Sequence, residues 1–284
     1  MTVTAKDIAS RLGISQPTVS RILNDAPGYR VSAATRLRVL ETAHELGYQP
    51  NAVARSLRRR RTNIVGFYSG YGFLDARNDF LAEIIGSIQR TCEQFQLDLL
   101  LHSTHRNRST ADIYGELANG QIDGLFLHTA VDDPLVSMLS ASSLHVIALV
   151  DRVDALPSIY GDDADGMRQM ILHLWKSGYR RYLFLIPKTL FASAETRRES
   201  FEKELCRLEV PLENRQIVRL DMEDPTPALD LAMSHPAIRT VVCCWNDATA
   251  YNLIRVCRQQ SITVPERLGV TGFDGFLDNK MPVG

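Results

Sequence analysis

Polar residues recur where short apolar runs end. Asp151 and Arg152 follow "HVIALV", Asp162 follows "SIYG", Asn246 and Asp247 follow "TVVCCW", and Asp274 follows "GVTGF". Parallel α/β architectures bind ligands beyond the carboxyl ends of their strands, so this recurrence marks a ligand site by architecture. Carboxylates there accept from hydroxyls or N–H groups. The same residue types also cap helices, and Asp247 is placed to cap the helix that follows it. Trp245 either offers a flat apolar face to a ring or fills the core.

Other constellations are weaker. His102 and His105 have H-x-x-H spacing, but no further ligand cluster supports zinc, and both read as loop or strand residues. "YSGYGFLDA" supplies Gly70 and Gly72, yet Asp75 stands where a dinucleotide fingerprint needs its third glycine. There is no P-loop, no G-x-S-x-G elbow and no Asp-Gly-Gly phosphate loop. The expectation is therefore no catalytic residue, no metal and no cofactor. Cys92, Cys206, Cys243, Cys244 and Cys257 are odd in number and lack a C-x-x-C pair. They read as buried thiols of a reducing compartment.

The elements that must position these residues fall into two regimes. The first ~48 residues are helical in pattern, without a strand signal. "TAKDIASRL" opens with Thr4 and Asp7 spaced as a capping box. Gly13 breaks that helix and Ser15 can cap the next, whose inward face is Val19, Ile22 and Leu23. Pro17 then lies in the first turn, where the missing N–H removes no intrahelical bond. A third helix starts near Ser32, turns Leu37, Leu40, Ala43 and Leu46 inward, and stops at Gly47. Two short helices joined by a Gly-containing turn fit a helix-turn-helix.

From Ile64 onward, nine apolar strands alternate with amphipathic helices, ending in "GVTGF" at 269–273. Such alternation predicts an α/β class, with parallel sheets flanked by helices and divided into two lobes. The step from "HVIALVD" to "SIYGDD" lacks a full helix and is expected to cross between lobes at about 152/153. Between the regimes, "PNAVARSLRRRRTN" (50–63) is a short helical segment followed by four arginines.

Charge divides the same way. Residues 1–61 hold 11 Lys/Arg and 4 Asp/Glu, a balance of +7. The remainder holds 32 − 11 = 21 against 33 − 4 = 29, a balance of −8. A basic head on an acidic body suggests a polyanion-binding module with a separate second task. The N-terminus has no apolar signal core, and no apolar run approaches the ~20 residues of a membrane span. A cytoplasmic protein without a membrane partner is expected.

"TAKDIASRLGISQPTVSRILN" and "ETAHELGYQPNAVARSL" strongly resemble the head of the LacI/GalR regulators. The strand at "NIVGFYS" and the order that follows are similar to the family's periplasmic-binding-protein-like lobes. The resemblance implies a helix-turn-helix DNA-binding domain over 1–48, a hinge helix and linker over 49–63, and an effector-binding and dimerisation body over 64–284. By it, Gln16, Pro17 and Arg21 face base edges in the major groove, where Arg21 can hold guanine through two bonds. Thr18, Ser20 and Asn24 would touch DNA backbone. Leu57 takes the minor-groove wedge position of the hinge, Ala54 lies beside it and Arg58 enters the groove. Arg59, Arg60 and Arg61 contact phosphates or form a solvated patch.

The effector positions implied are Phe80, Leu81, Arg152, Asp162, Ser193, Arg197, Met222, Asn246 and Asp274. The planar guanidinium of Arg197 can hold two ligand oxygens at once. Met222 departs from the aromatic residue common at its place. The partners implied are a near-palindromic operator duplex, a second copy of the chain, and a small effector, with a sugar or sugar derivative first and a purine second. Family members continue beyond the "GFD" strand, whereas this sequence stops soon after Asp274, so a C-terminally shortened chain is expected.

Overall fold

The computed structural model describes residues 3–24, 28–49, 56, 61–71, 79–102, 108–188, 191–220 and 224–275. Backbone proximity separates two units: residues 1–63 with 120–123, and residues 64–119 with 124–284.

In the first unit, helix α1 (Ala5–Leu12) starts at the expected capping box, with Thr4 N donating to Asp7 Oδ2 at 2.8 Å. Gly13 ends it at φ 66°, a conformation that favours glycine. Helix α2 (Gln16–Leu23) is capped by Ser15, whose Oγ accepts from Thr18 N at 3.3 Å. Pro17 is thus the second residue of α2 and interrupts no helical bond. Helix α3 (Ala33–Glu45) closes a core of Ile8, Ala9, Val19, Ile22, Val39 and Ala43.

The phase of α3 differs from the sequence reading. Ala43 is buried and Leu46 packs on the head core as expected, but Leu37 and Leu40 are 56% and 47% exposed, and Val39 and Thr42 are buried in their place. The helix carries two apolar stripes. The one spaced 39, 43, 46 meets α1 and α2, since Val39 and Ala43 are small enough to let three short helices approach closely.

In the second unit the expected nine strands form, all parallel. The first five are β1 (Ile64–Ser69), β2 (Asp98–His102), β3 (Gly124–His128), β4 (His145–Val150) and β5 (Ser158–Tyr160), in sheet order β2-β1-β3-β4-β5. Helices α4 (Asp79–Gln94), α5 (Thr110–Leu117) and α6 (Pro134–Ser140) connect them. The second sheet runs β7-β6-β8-β9, with β6 (Arg181–Pro187), β7 (Arg215–Leu220), β8 (Thr240–Cys244) and β9 (Gly269–Thr271). Its helices are α7 (Asp163–Lys176), α8 (Ala192–Arg207), α9 (Thr226–Met233) and α10 (Asp247–Gln259). Every residue of β6 is buried, as a central strand covered on both faces must be. Tyr182, Phe184 and Ile186 pack on one face, and Leu183 and Leu185 on the other.

Two expectations are corrected here. Strand β5 pairs with β4 in the first sheet, Ala148 opposite Ser158, so the crossover lies after Tyr160 rather than at 152/153. A parallel pair normally needs a crossover helix. Here a short turned loop, with Val153 N donating to Ser158 Oγ at 3.0 Å, brings a three-residue edge strand alongside instead. Among the cysteines, Cys92, Cys243, Cys244 and Cys257 are buried, but Cys206 is exposed near the end of α8.

Candidate functional site

The strands of both sheets deliver their carboxyl ends to one crevice of about 220 Å³. From the first lobe come Ser69 at the end of β1, His128 at the end of β3, Asp151 after β4, and Phe80 and Leu81 at the start of α4. From the second come Phe191, Ser193 and Arg197 of α8 and the residue before it, Trp245 and Asn246 after β8, and Asp274 after β9.

Arg197 organises the second wall. It is 7% exposed. Its Nε donates to Asp163 Oδ1 at 2.7 Å, and its Nη1 donates to the carbonyl of Trp245 and lies 3.8 Å from Asp274 Oδ1. The guanidinium carbon sits 3.8 Å from the ring centroid of Phe273, which supports the flat face of the cation.

Asp274 is aimed from outside its own strand. Asp247 Oδ1 accepts from the N–H groups of Phe273 (2.9 Å) and Asp274 (3.2 Å), and Asp247 Oδ2 accepts from Gly275 N at 2.7 Å. In return Asp247 N donates to Asp274 Oδ2 at 3.3 Å. A Cβ at Gly272 would collide with Oδ1 of Asp247, so this close approach requires glycine. Asp247 is therefore not the cap of α10. Asn246 caps it, through Oδ1 accepting from Thr249 N at 2.9 Å.

The two walls touch. Asp151 Oδ1 accepts from Ser193 N at 2.9 Å across the crevice, and Asp151 Oδ2 accepts from the Tyr71 hydroxyl at 3.1 Å. Rings continue the bridge. Tyr71 lies 4.7 Å from His128 and 4.8 Å from Phe191, and Phe191 stacks on Trp245 at 5.2 Å. Trp245 thus lines the crevice while packing on the core of its lobe. Burial pushes the His128 imidazole down to about 4, so it is neutral near pH 7 and exchanges a hydrogen bond with Ser69 Oγ at 3.1 Å.

Of the expected effector residues, Phe80, Leu81, Ser193, Arg197, Asn246 and Asp274 line this crevice. Arg152 and Asp162 do not. Arg152 is exposed and pairs with Asp154 at 3.0 Å. Val150 takes φ 76° at the end of β4, which breaks the strand's alternation and turns Asp151 inward instead. Asp162 is occupied as the N-cap of α7, accepting from Asp165 N at 3.0 Å, and its neighbour Asp163 reaches Arg197. Met222 lies outside the described residues.

In the head, Gln16, Pro17 and Arg21 are all exposed on α2, with Arg21 one turn beyond Pro17. Arg21 lies 5.2 Å from the centroid of the Tyr29 ring, which limits its swing without using its donors. Thr18 Oγ1 meets Ser15 Oγ at 2.9 Å and the Tyr29 hydroxyl at 3.1 Å. Asn24 Nδ2 donates to Ser20 O at 2.6 Å. Ala54, Leu57 and Arg58 lie outside the described residues.

A family model for bacterial regulatory proteins of the lacI family matches residues 4–51, and a periplasmic binding protein-like domain model matches residues 171–280. The probable HTH-type transcriptional repressor ExuR of Bacillus subtilis is 25% identical over 279 residues, covering 96% of this chain and 81% of the relative. Catabolite control protein A of Priestia megaterium is 27% identical over 282 residues, covering 96% and 83%. The chain thus carries a lacI-family DNA-binding domain and a periplasmic-binding-protein-like domain, and over nearly its whole length it is similar to LacI/GalR-family regulators. A crystal structure of the lac repressor dimer bound to operator and the anti-inducer ONPF shares its fold, with a TM-score of 0.79 at 24% identity over 96% of this chain and 82% of that one.

Within this crevice, Ser69, Tyr71, His128 and Phe191 were not among the expected residues, and Asp151 was marked by its strand end alone. Ser69 and His128 are the last residues of their strands, so the strand-end rule that marked Asp274 also covers them. Phe191 precedes α8 without a side-chain cap and carries no such signal.

Burial pushes the carboxyls of Asp163 and Asp274 above the ordinary value of 3.8, against the pull of Arg197. A carboxyl raised on folding contributes its stability below the unfolded pKa and loses it as pH rises through the folded one. Asp274→Asn cannot ionise and escapes that loss. The melting temperature of the variant minus that of the parent is therefore expected to increase between about pH 4 and pH 7. A difference that stays flat over that range contradicts the assignment.

Proposed function

We propose that this protein is a sequence-specific DNA-binding transcriptional repressor whose operator affinity is set by a small molecule in the crevice. Residues 1–48 form the DNA-binding head, 49–63 the hinge and linker, and 64–284 the effector-binding and dimerisation body. Two copies read a near-palindromic operator, with half-site centres about 34–36 Å apart. The observation that carries the reading is the exposed face of α2. Gln16, Pro17 and Arg21 stand clear of a head core that is already closed by α1 and α3. Arg21 reads guanine, and Thr18, Ser20 and Asn24 fix the register on phosphates. Pro17 offers no donor or acceptor, so it packs on a thymine methyl or leaves a base pair unread.

A neutral polyhydroxylated effector, a sugar or sugar derivative, suits the crevice best. Two carboxylates, Asp151 and Asp274, line the crevice beside one cation, Arg197, which is already paired with Asp163; this disfavours anions and supplies acceptors for hydroxyls. Phe191 and Trp245 add apolar faces. The volume of about 220 Å³ is below the common ligand-pocket range of roughly 300–1,000 Å³, which suits a small ligand. A purine is the second choice, with the same carboxylates accepting from ring N–H groups. The named relatives are regulators, and a regulator without catalytic activity is the reading here.

Selection of duplexes from a random pool tests the DNA half. A symmetric enriched site is expected, and a site without symmetry contradicts the homodimer. Pro17→Gln is expected to alter base preference at one position per half-site while the head stays folded. An unchanged preference would reduce Pro17 to a helix starter. A thermal-shift screen of neutral sugars, sugar acids and purines tests the other half. A ligand at 100 times its Kd stabilises by about 2.7 kcal/mol. Stabilisation by acids alone would overturn the neutral-effector reading.

A further inference from the structure

One carboxylate outside the crevice holds the chain where the linker becomes a strand. Asp123 Oδ1 accepts from Thr62 N at 2.7 Å and from Thr62 Oγ1 at 2.9 Å, and Asp123 Oδ2 accepts from Asn63 N at 2.8 Å. Two successive amides and a hydroxyl thus converge on a single side chain. Asn63 sits at φ 59°, a left-handed conformation that residues other than glycine seldom adopt without local support. Desolvation pushes the Asp123 carboxyl up, but the amides of Thr62 and Asn63 more than offset this, and it stays below the ordinary 3.8. The anchor is ionised at neutral pH.

Its position gives this anchor its consequence. Thr62 and Asn63 immediately precede β1, and Asp123 immediately precedes β3. These strands are neighbours at the centre of the first sheet, with Val65 opposite Gly124. Their other ends carry Ser69 and His128, two residues of the crevice wall. Six strand residues span roughly 20 Å, so the anchor ties the two strands together at one end while a ligand touches them at the other. Any sliding of β1 along β3 must strain the three bonds to Asp123.

We propose that Asp123 is a positioning residue that fixes the path of the linker at Thr62 and Asn63, and that operator specificity depends on it. The proposal rests on the regulator reading above, and its first test does not. The Arg61–Thr62 peptide bond is a trypsin site whose amide is held by Asp123. Asp123→Ala is expected to speed cleavage at that bond about tenfold, read by mass spectrometry of the intact protein, because a protease acts on the locally opened chain. An unchanged rate overturns the anchor.

The second test uses a duplex enriched from a random pool by the wild-type protein, with a scrambled duplex of equal length as control. Asp123→Ala is expected to weaken binding to the enriched duplex about tenfold and to the scrambled one by less than about twofold. Asp123→Asn, which keeps an acceptor oxygen, is expected to fall between. Equal losses on both duplexes, or none on either, overturn the positioning role. Should Asp123→Ala fail to melt cooperatively, Asp123→Asn and Thr62→Val carry both tests, with smaller losses in the same direction. A wild-type protein that enriches no sequence counts against the regulator reading, and the cleavage rate then decides the anchor alone.

Discussion

Replacing Arg197 by Ala is expected to abolish the response to effector and to destabilise the body by about 3–5 kcal/mol. The guanidinium is 7% exposed and bonds to Asp163 and to the Trp245 carbonyl, with Asp274 at 3.8 Å. Its removal leaves two half-desolvated carboxylates facing each other without a cation. Breaking one partner of such a group is worse than never having had it. The ligand loses in the same step the guanidinium donors that Asp163 and the Trp245 carbonyl leave unused. Operator affinity without effector should change little, since the head keeps its own core of Ile8, Val19, Ile22 and Val39. The compound giving the largest thermal shift with the parent protein is the probe. A shift retained in Arg197→Ala would remove this residue from the site. Arg197→Lys should recover part of the stability but not the response, because an ammonium is a point charge that cannot bridge Asp163 and the Trp245 carbonyl as a fork does.

The second large effect belongs to the head. Ile22→Ala is expected to unfold residues 3–48 at 37 °C and to eliminate specific DNA binding. Ile22 is 2% exposed in a core of six small and medium side chains. Truncating a buried isoleucine costs about 2–5 kcal/mol. A single core this small rarely supplies more than about 3–5 kcal/mol. The loss therefore matches the whole margin. The body, with separate cores around Phe184 and Leu253, should keep its melting transition and its thermal response to ligand. Calorimetry and DNA binding on the same sample check both halves. Wild-type operator affinity in the variant would show that the head tolerates the cavity.

The contrast between legible and illegible parts has a physical basis. Element types and order followed from period, and caps followed from side-chain chemistry. Thr4 and Ser15 cap the helices that the sequence assigned to them, and the helix expected to start near Ser32 is capped by it. Strand ends located the crevice. What the sequence did not show was which of two adjacent residues turns inward. Asp151 rather than Arg152 lines the crevice, and Asp163 rather than Asp162 holds the crevice arginine. A positive φ at Val150 decides the first, and competition from a helix amide decides the second. Both are backbone events one residue wide. Leu37 and Leu40 fail for a related reason: helix α3 has two apolar stripes, and only tertiary packing selects one.

The grip of Asp247 on the loop after β9 has a further implication for how the site can change over time. All three amides it holds belong to the backbone of residues 273–275, so the main grip on the loop does not use the side chain at 274, which adds only the 3.3 Å bond from Asp247 N. A new residue can appear there and meet the ligand from the same direction. Position 272 has no such latitude, because any side chain would displace Asp247. On the effector reading proposed above, ligand preference can drift at 274 by single substitutions, within a frame that 247 and 272 keep constant.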